Sequence, residues 1–249
     1  MRNAVEQLLL PAECLLCHGL LVERDAGRLV CPVCRHRWRP VRPPWCERCG
    51  QPEPHFGPCR LCAEWPAALR AVRSAVWLAD GARAAVHALK YGGLPRIADD
   101  LADAMARVAL PADDPSVLVP IPLARKRLRE RGYNQSDALA AALGRRRQLP
   151  VAAGLLARVR ETATQTALTP ETRLANVAGA FATSNVECRI SNNEFRNSTF
   201  DIGHWTLILV DDVFTTGATL AEAARALEQA GARTVYGLTF GRAVIPDFT

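Results

Sequence analysis

No apolar run in this chain of 249 residues approaches the roughly 20 residues a helix needs to cross a bilayer, so no membrane insertion is expected. The opening stretch MRNAVEQLLLPAEC carries a glutamate in its apolar part and shows no small-residue cleavage site, and the expectation is a cytoplasmic chain. Lysine is nearly missing: among 31 basic residues only Lys90 and Lys126 are not arginine. Such a bias follows genomic base composition as readily as phosphate binding. The net charge of +6 nonetheless favours anionic partners, either nucleic acid or phosphorylated small molecules. Neither GxxxxGK(S/T) nor GxGxxG occurs, which argues against a P-loop ATPase and a dinucleotide-binding fold. With 49% hydrophobic and 22% charged residues, disorder, collagen and coiled coil are excluded as well.

Cysteine is plentiful but lopsided. Eight of nine fall within residues 14–62 as four CxxC pairs: Cys14/Cys17, Cys31/Cys34, Cys46/Cys49 and Cys59/Cys62, with 13, 11 and 9 residues between the pairs. That spacing is close to zinc ribbons, in which two thiolate knuckles close one tetrahedral site. Two four-thiolate zinc sites follow. The simplest assignment takes the pairs in order, and an interleaved pairing stays open. Disulfides and redox dithiols explain the pattern less well, since four regular pairs are more than a redox enzyme needs. Four thiolates leave no open position for a substrate, so both sites read as structural, each supplying on the order of 10 kcal/mol to folding. His18, His36 and His55 lie nearby and read as surface residues rather than ligands. Interleaved with the knuckles are Arg24, Arg28, Arg35, Arg37, Arg39, Arg42, Arg48 and Arg60, and Trp38, Trp45, Phe56 and Trp65. This mixture suits a surface that grips phosphates and stacks unpaired bases. The plainer reading is aromatics packing the ribbon hairpins beneath solvated arginines.

After Pro66 the character changes, which predicts a double zinc ribbon over residues 1–66 and an α/β domain over 67–249. Strand patterns at 71–79, 116–122, 155–160, 206–212 and 233–240 alternate with helical patterns at 81–93, 94–110, 134–147, 170–181 and 217–231. Alternation of this kind means a mainly parallel sheet flanked by helices. Residues 184–204 break the pattern with Asn192, Asn193 and Asn197 and predict an exposed loop or hairpin, in which Cys188 is no ligand.

The segment LILVDDVFTTGATL runs an apolar strand into a helix through two acids and a Thr/Gly-rich turn. Backbone N–H groups of such a turn, with the oncoming helix dipole, make a phosphate cradle at the carboxyl end of a parallel strand. Gly217 lets the backbone come close. Asp211 and Asp212 repel phosphate, so ribose hydroxyls and, indirectly, a magnesium ion are their sensible partners. A sugar 5-phosphate fits both halves. A plain Asp cap on a helix is the bland alternative.

This segment resembles the phosphoribosyl-pyrophosphate (PRPP) loop of type I phosphoribosyltransferases. Further segments narrow the likeness: Val119-Pro120-Ile121-Pro122 with Arg125, Arg127, Arg131, Gly132, Tyr133, Asn134 and Gln135; Arg160-Glu161-Thr162 with Gln165; Arg173, Asn176, Gly179 and Phe181; and Lys90-Tyr91-Gly92-Gly93. Together with the cysteine pairs they look like the ComF family of competence proteins. The resemblance implies a type I phosphoribosyltransferase-like α/β domain in which Asp211 and Asp212 hold the ribose hydroxyls and Thr215, Thr216, Gly217, Ala218 and Thr219 hold the 5-phosphate. It implies a pyrophosphate loop near Arg125 and Arg127, and a mobile hood at Arg160 and Gln165. Lys90 is either a pyrophosphate contact or the partner of an acid, and residues 125–132 either bind an anion or form a solvated helix face.

Three functions remain in competition. One is displacement at C1 of PRPP with magnesium at the leaving group, although no general base and no acceptor-reading segment stands out. Another is a PRPP sensor, or a remnant of one, whose basic surface handles single-stranded DNA. The third is an adaptor docking a competence helicase or other DNA-uptake proteins.

Overall fold

The computed structural model describes residues 12–22, 25, 27–52, 59–112, 115–160, 177–183, 189–190 and 201–243. Its centre is a four-stranded, wholly parallel sheet of β1 (Leu69–Trp77), β2 (Ser116–Pro120), β7 (Thr206–Phe214) and β8 (Thr234–Arg242), in the order β1-β8-β7-β2. All five residues of β2 are buried, as are eight of nine in β7, which fits strands covered on both faces. Helices α2 (Asp80–Tyr91), α3 (Ala98–Met105), α5 (Gln135–Arg147) and α6 (Ala218–Gln229) supply the cover, with a short α1 (Pro32–His36) in the cysteine region and α4 (Arg125–Arg131) after β2. The expected mainly parallel sheet flanked by helices, with a cysteine-rich module at the N-terminal end, is what the chain forms.

Two elements differ from expectation. The pattern at 94–110 gives only eight residues of α-helix, because Pro95 opens a 3-10 turn over Pro95–Ile97 before α3 begins. The strand expected at 155–160 shrinks to β4 (Leu156–Arg158) and leaves the main sheet to pair antiparallel with β5 (Phe181–Thr183). Three residues ending in a charged side chain make a poor buried parallel strand. Within 184–204, only β6 (Arg189–Ile190), paired antiparallel with β3 (Ala152–Ala153), and the turn at 201–204 are described. The helix expected at 170–181 lies outside the described residues up to 176, and a turn and β5 occupy its end.

Alternate residues of the strands point to two separate cores. Ala71, Val76, Ile208, Val210, Leu238 and Phe240 pack with α2, α3 and α5, whereas Leu69, Val72, Leu207, Leu209 and Val235 pack with α6. The cysteine knuckles join these cores one each. Cys14, Cys34 and Trp38 belong to the first, and Cys49, Cys62 and Trp65 to the second.

Charge seals the first junction. Asp99, Asp100 and Asp103 lie within one turn and a half of α3. Arg28 and Arg35 reach Asp103 at 2.8 and 3.0 Å, while Arg145 and Arg146 of α5 reach Asp99 at 2.9 and 3.1 Å. Asp100, fully buried, accepts the Leu29 and Val30 amides at 3.0 and 3.3 Å. Burial pushes its carboxyl up despite these donors and the two arginines beside it.

Candidate functional site

The cysteines fall into two groups, Cys14, Cys17, Cys31 and Cys34, and Cys46, Cys49, Cys59 and Cys62, the sulfurs of each group within 4.8 Å of one another. The in-order pairing therefore holds, and among the described residues neither group includes a histidine. His18 and His36 are exposed; His55 and Cys188 lie outside the described residues. Burial pushes the Cys62 thiol up to about 12, with the crowding charges of Cys46 and Cys59 adding to it. Burial also acts on Cys14, but amide donors from Cys31 and Leu16, at 3.3 and 3.4 Å, outweigh it and bring that thiol down to about 7. Four crowded sulfurs with amide donors are a tetrahedral donor set whose mutual repulsion a divalent cation relieves, so both clusters fit a structural zinc ion.

The arginines and aromatics around these clusters face inward more than the sequence suggested. Trp38 stands edge-on to Phe240 and Trp65 edge-on to Phe214, both buried against the sheet domain rather than within the hairpins. Trp45 is half-buried under Arg73. Arg28 and Arg35 are held by acids, and Arg48 donates to the carbonyls of Cys62, Trp65 and Pro66 at 3.1, 3.0 and 2.9 Å. A base-stacking face built from Trp38 and Trp65 is excluded by this packing. Arg37, Arg39, Arg42 and Arg60 remain exposed; Arg24 and Phe56 lie outside the described residues.

A cleft of about 770 Å³ opens at the carboxyl ends of β7 and β2, where open α/β sheets take ligands. Its lining includes Asp211, Asp212, Thr215, Gly217, Ala218 and Thr219 together with Lys90, Arg127, Arg131 and Arg158. Thr216 turns inward, 5% exposed, and its Oγ1 accepts from the Ala218 amide at 3.4 Å. Lys90 comes from the last turn of α2, and its Nζ sits 2.6 Å from Asp212 Oδ2. Of the two roles weighed for it, the structure displays the ion pair. Arg125 is exposed on α4 and does not line the cleft; Arg160 is exposed and donates to the Ala178 carbonyl. Gln165, with the rest of the expected hood over 161–176, lies outside the described residues.

The segment after β2 works as scaffold. Tyr133 donates its hydroxyl hydrogen to the Leu89 carbonyl, Asn134 donates to the Ile121 carbonyl at 3.0 Å while capping α5, and Ser136 donates to Asp211 Oδ1 at 3.0 Å. Sequence reasoning gave Ser136 and Arg158 no role. Ser136 lies 75 positions from its partner, and Arg158 is one arginine among 29, so neither carried a local signal.

Burial first, and the charge of Asp212 second, push the Asp211 carboxyl up to about 7, against the pull of Lys90 and the bonds from Ser136 and the Asp212 amide. Unfolded, the same group titrates near 3.9. Between those values the folded chain keeps a proton that the unfolded chain has lost, so this group's contribution to stability falls as pH rises from about 4 to 7. Asp211→Asn retains both acceptor bonds and removes the titration. Its melting temperature relative to the native chain should rise between pH 5 and pH 8, by the equivalent of about 1–3 kcal/mol. An equal difference at both pH values would contradict this.

The chain thus joins two four-cysteine clusters to a parallel α/β domain with an acid-and-arginine cleft at its strand ends. Residues 5–63 match the double zinc ribbon domain family. Over 235 residues the chain is 30% identical to DNA utilization protein YhgH of Escherichia coli (strain K12), covering 92% of this chain and 96% of that protein. It is 30% identical over 237 residues to competence protein ComFC of Bacillus subtilis (strain 168), covering 88% and 89%. It is also 35% identical over 121 residues to competence protein F of Haemophilus influenzae, about half of each. The chain belongs to the ComF family of competence proteins.

Proposed function

We propose that the chain serves DNA uptake and binds PRPP with magnesium in the cleft of its α/β domain. The competence and DNA-utilization names of its full-length relatives support the first half. The observation that carries the second is the pairing of Asp211 and Asp212, on the strand end, with the Thr215–Thr219 turn beside them and cationic side chains lining the same cleft. In this reading Asp211 and Asp212 take the ribose hydroxyls as charge-assisted acceptors. Amides of the turn, with Thr215 and Thr219, take the 5-phosphate. Lys90, Arg127 and Arg158, which line the same cleft, take the pyrophosphate charge in this reading, Lys90 releasing part of its hold on Asp212 as the ligand enters. In a transfer reaction an acceptor would bond to C1 as the C1–O bond to pyrophosphate breaks, and a magnesium ion bound with PRPP would supply charge neutralisation on the departing pyrophosphate. The acceptor is unassigned, because the cleft residues name no base for it.

Calorimetry of PRPP binding to the zinc-loaded chain, with and without magnesium, tests the proposal. Binding that appears only with magnesium is the expected result, and no binding heat in either condition overturns it. The second reading keeps the pocket without transfer, and the exposed arginines of α4, Arg125 and Arg129, favour a nucleic-acid contact there. Single-stranded DNA affinity that falls steeply with salt, and falls less in an Arg125/Arg129 double variant, would support that contact.

A further inference from the structure

The two cysteine clusters are not equivalent in what they touch. Gly217, which opens α6 with φ of +78°, has no room for a side chain: a Cβ there would lie 2.5 Å from Trp65 Cζ2 and 2.8 Å from Phe214 Cε2. Trp65, three residues beyond Cys62, meets Phe214 edge-on with ring centroids 6.2 Å apart. Phe214 in turn has the Arg242 guanidinium 4.4 Å from its ring centre. Arg242 is 2% exposed and donates to the Cys49 carbonyl and to Gln51 Oε1, both at 2.8 Å. Arg48 holds the other end through the carbonyls of Cys62 and Trp65, with its guanidinium 6.0 Å from the Trp65 ring centre. A continuous set of contacts therefore runs from two ligating cysteines to the turn at the cleft mouth. The first cluster makes no such contact among the described residues, its Trp38 resting on Phe240 against the other face of the sheet.

We propose that Trp65 is a positioning residue for the Thr215–Thr219 turn, through which the second cysteine cluster sets the shape of the cleft. The physical reason is that a turn entering a helix through a left-handed glycine is held by packing neighbours as well as by its own hydrogen bonds, here Ala218 N–H to Thr216 Oγ1 at 3.4 Å and Ala221 N–H to the Gly217 carbonyl at 2.8 Å. Here the neighbours on the ribbon side are one indole and the ring it packs against. Truncating the indole leaves Gly217 free to sample other conformations and loosens the amides of a turn that lines the cleft. That this loosening weakens PRPP binding rests on the function proposed above; the mechanical contact does not.

The test separates the two. Amide hydrogen exchange is followed in the full zinc-loaded chain for wild type, Trp65→Ala, Trp65→Phe and, as a truncation of equal size at the other cluster, Trp38→Ala. Trp65→Ala should speed exchange across Thr215–Thr219 at least tenfold with both zinc ions retained, Trp65→Phe should recover part of the protection, and Trp38→Ala should leave those amides within twofold of wild type. Unchanged exchange in Trp65→Ala, or equal acceleration in Trp38→Ala, overturns the proposal. Should Trp65→Ala not fold, Trp65→Phe against Trp38→Phe carries the same comparison. Magnesium–PRPP calorimetry on the same proteins should show about tenfold weaker binding for Trp65→Ala. Unaltered affinity beside a binding wild type overturns the link to the cleft, whereas a wild type that binds no PRPP overturns the pocket assignment and leaves the exchange result to decide the positioning role.

Discussion

Asp212→Asn is expected to abolish magnesium-dependent PRPP binding, by about 100-fold or roughly 2.7 kcal/mol, while the chain still melts in one cooperative step. The carboxylate is 3% exposed and is the near partner of Lys90. An amide at this position loses the charge that makes it a strong acceptor for ribose hydroxyls, and hydrogen bonds to charged groups contribute about 1.5–3 kcal/mol each. Removing one member of a buried ion pair usually destabilises a fold strongly. Here the neighbour limits the damage. Burial and the charge of Asp212 push the Asp211 carboxyl up to about 7, so with that charge gone it ionises more readily and takes over the neutralisation of Lys90. Calorimetry and a thermal melt on one preparation check both halves. Retained affinity would remove Asp212 from the binding site, and a lost melting transition would make it structural.

Cys31→Ser should reduce bound zinc from two ions to one per chain and lower the melting temperature by about 10 °C or more, the equivalent of several kcal/mol for a chain of this size. Cys31 does two jobs: its sulfur is one of four in the first cluster, and it accepts the Cys34 amide at 3.4 Å as the cap of α1. Losing the metal also loosens Cys14, Cys34 and Trp38, which are buried in the same core as Ile208, Val210 and Phe240. The effect therefore reaches the sheet instead of stopping at the ribbon. Metal analysis and a melt decide it, and two zinc ions per chain in the variant would remove Cys31 from the ligand set.

How much of this was legible depended on sequence distance. The CxxC spacing gave four thiolate knuckles and two four-cysteine sites because each knuckle is local, while the choice of in-order over interleaved pairing came from the fold. The apolar run Thr206–Val210 followed by two acids gave β7 and its turn for the same reason, and the helical pattern over 134–147 gave α5. The partners of those residues were not legible. Lys90 finds Asp212 across most of the domain, Arg242 finds Cys49 across 193 positions, and Trp65 is placed on Gly217 only once β7 and β8 have formed. Interleaved arginine and tryptophan suggested a nucleic-acid surface. What turned Trp38 and Trp65 inward was an apolar sheet face supplied by residues far downstream, which no window around the cysteines contains.

The reliance of Cys49 on Arg242 also orders the protein's biogenesis. A zinc ion with four thiolates carries net negative charge, and at the second cluster the buried cation beside it belongs to the last residue of β8. About 180 residues separate Cys62 from Arg242, so at 5–20 residues per second the ribosome exposes a complete set of thiols some 10–40 seconds before their counter-charge is made. The second knuckle can gather its metal early but is seated only once residue 242 has been made. A nascent chain stalled before residue 242 would present a metal-binding ribbon without its anchor to the rest of the molecule.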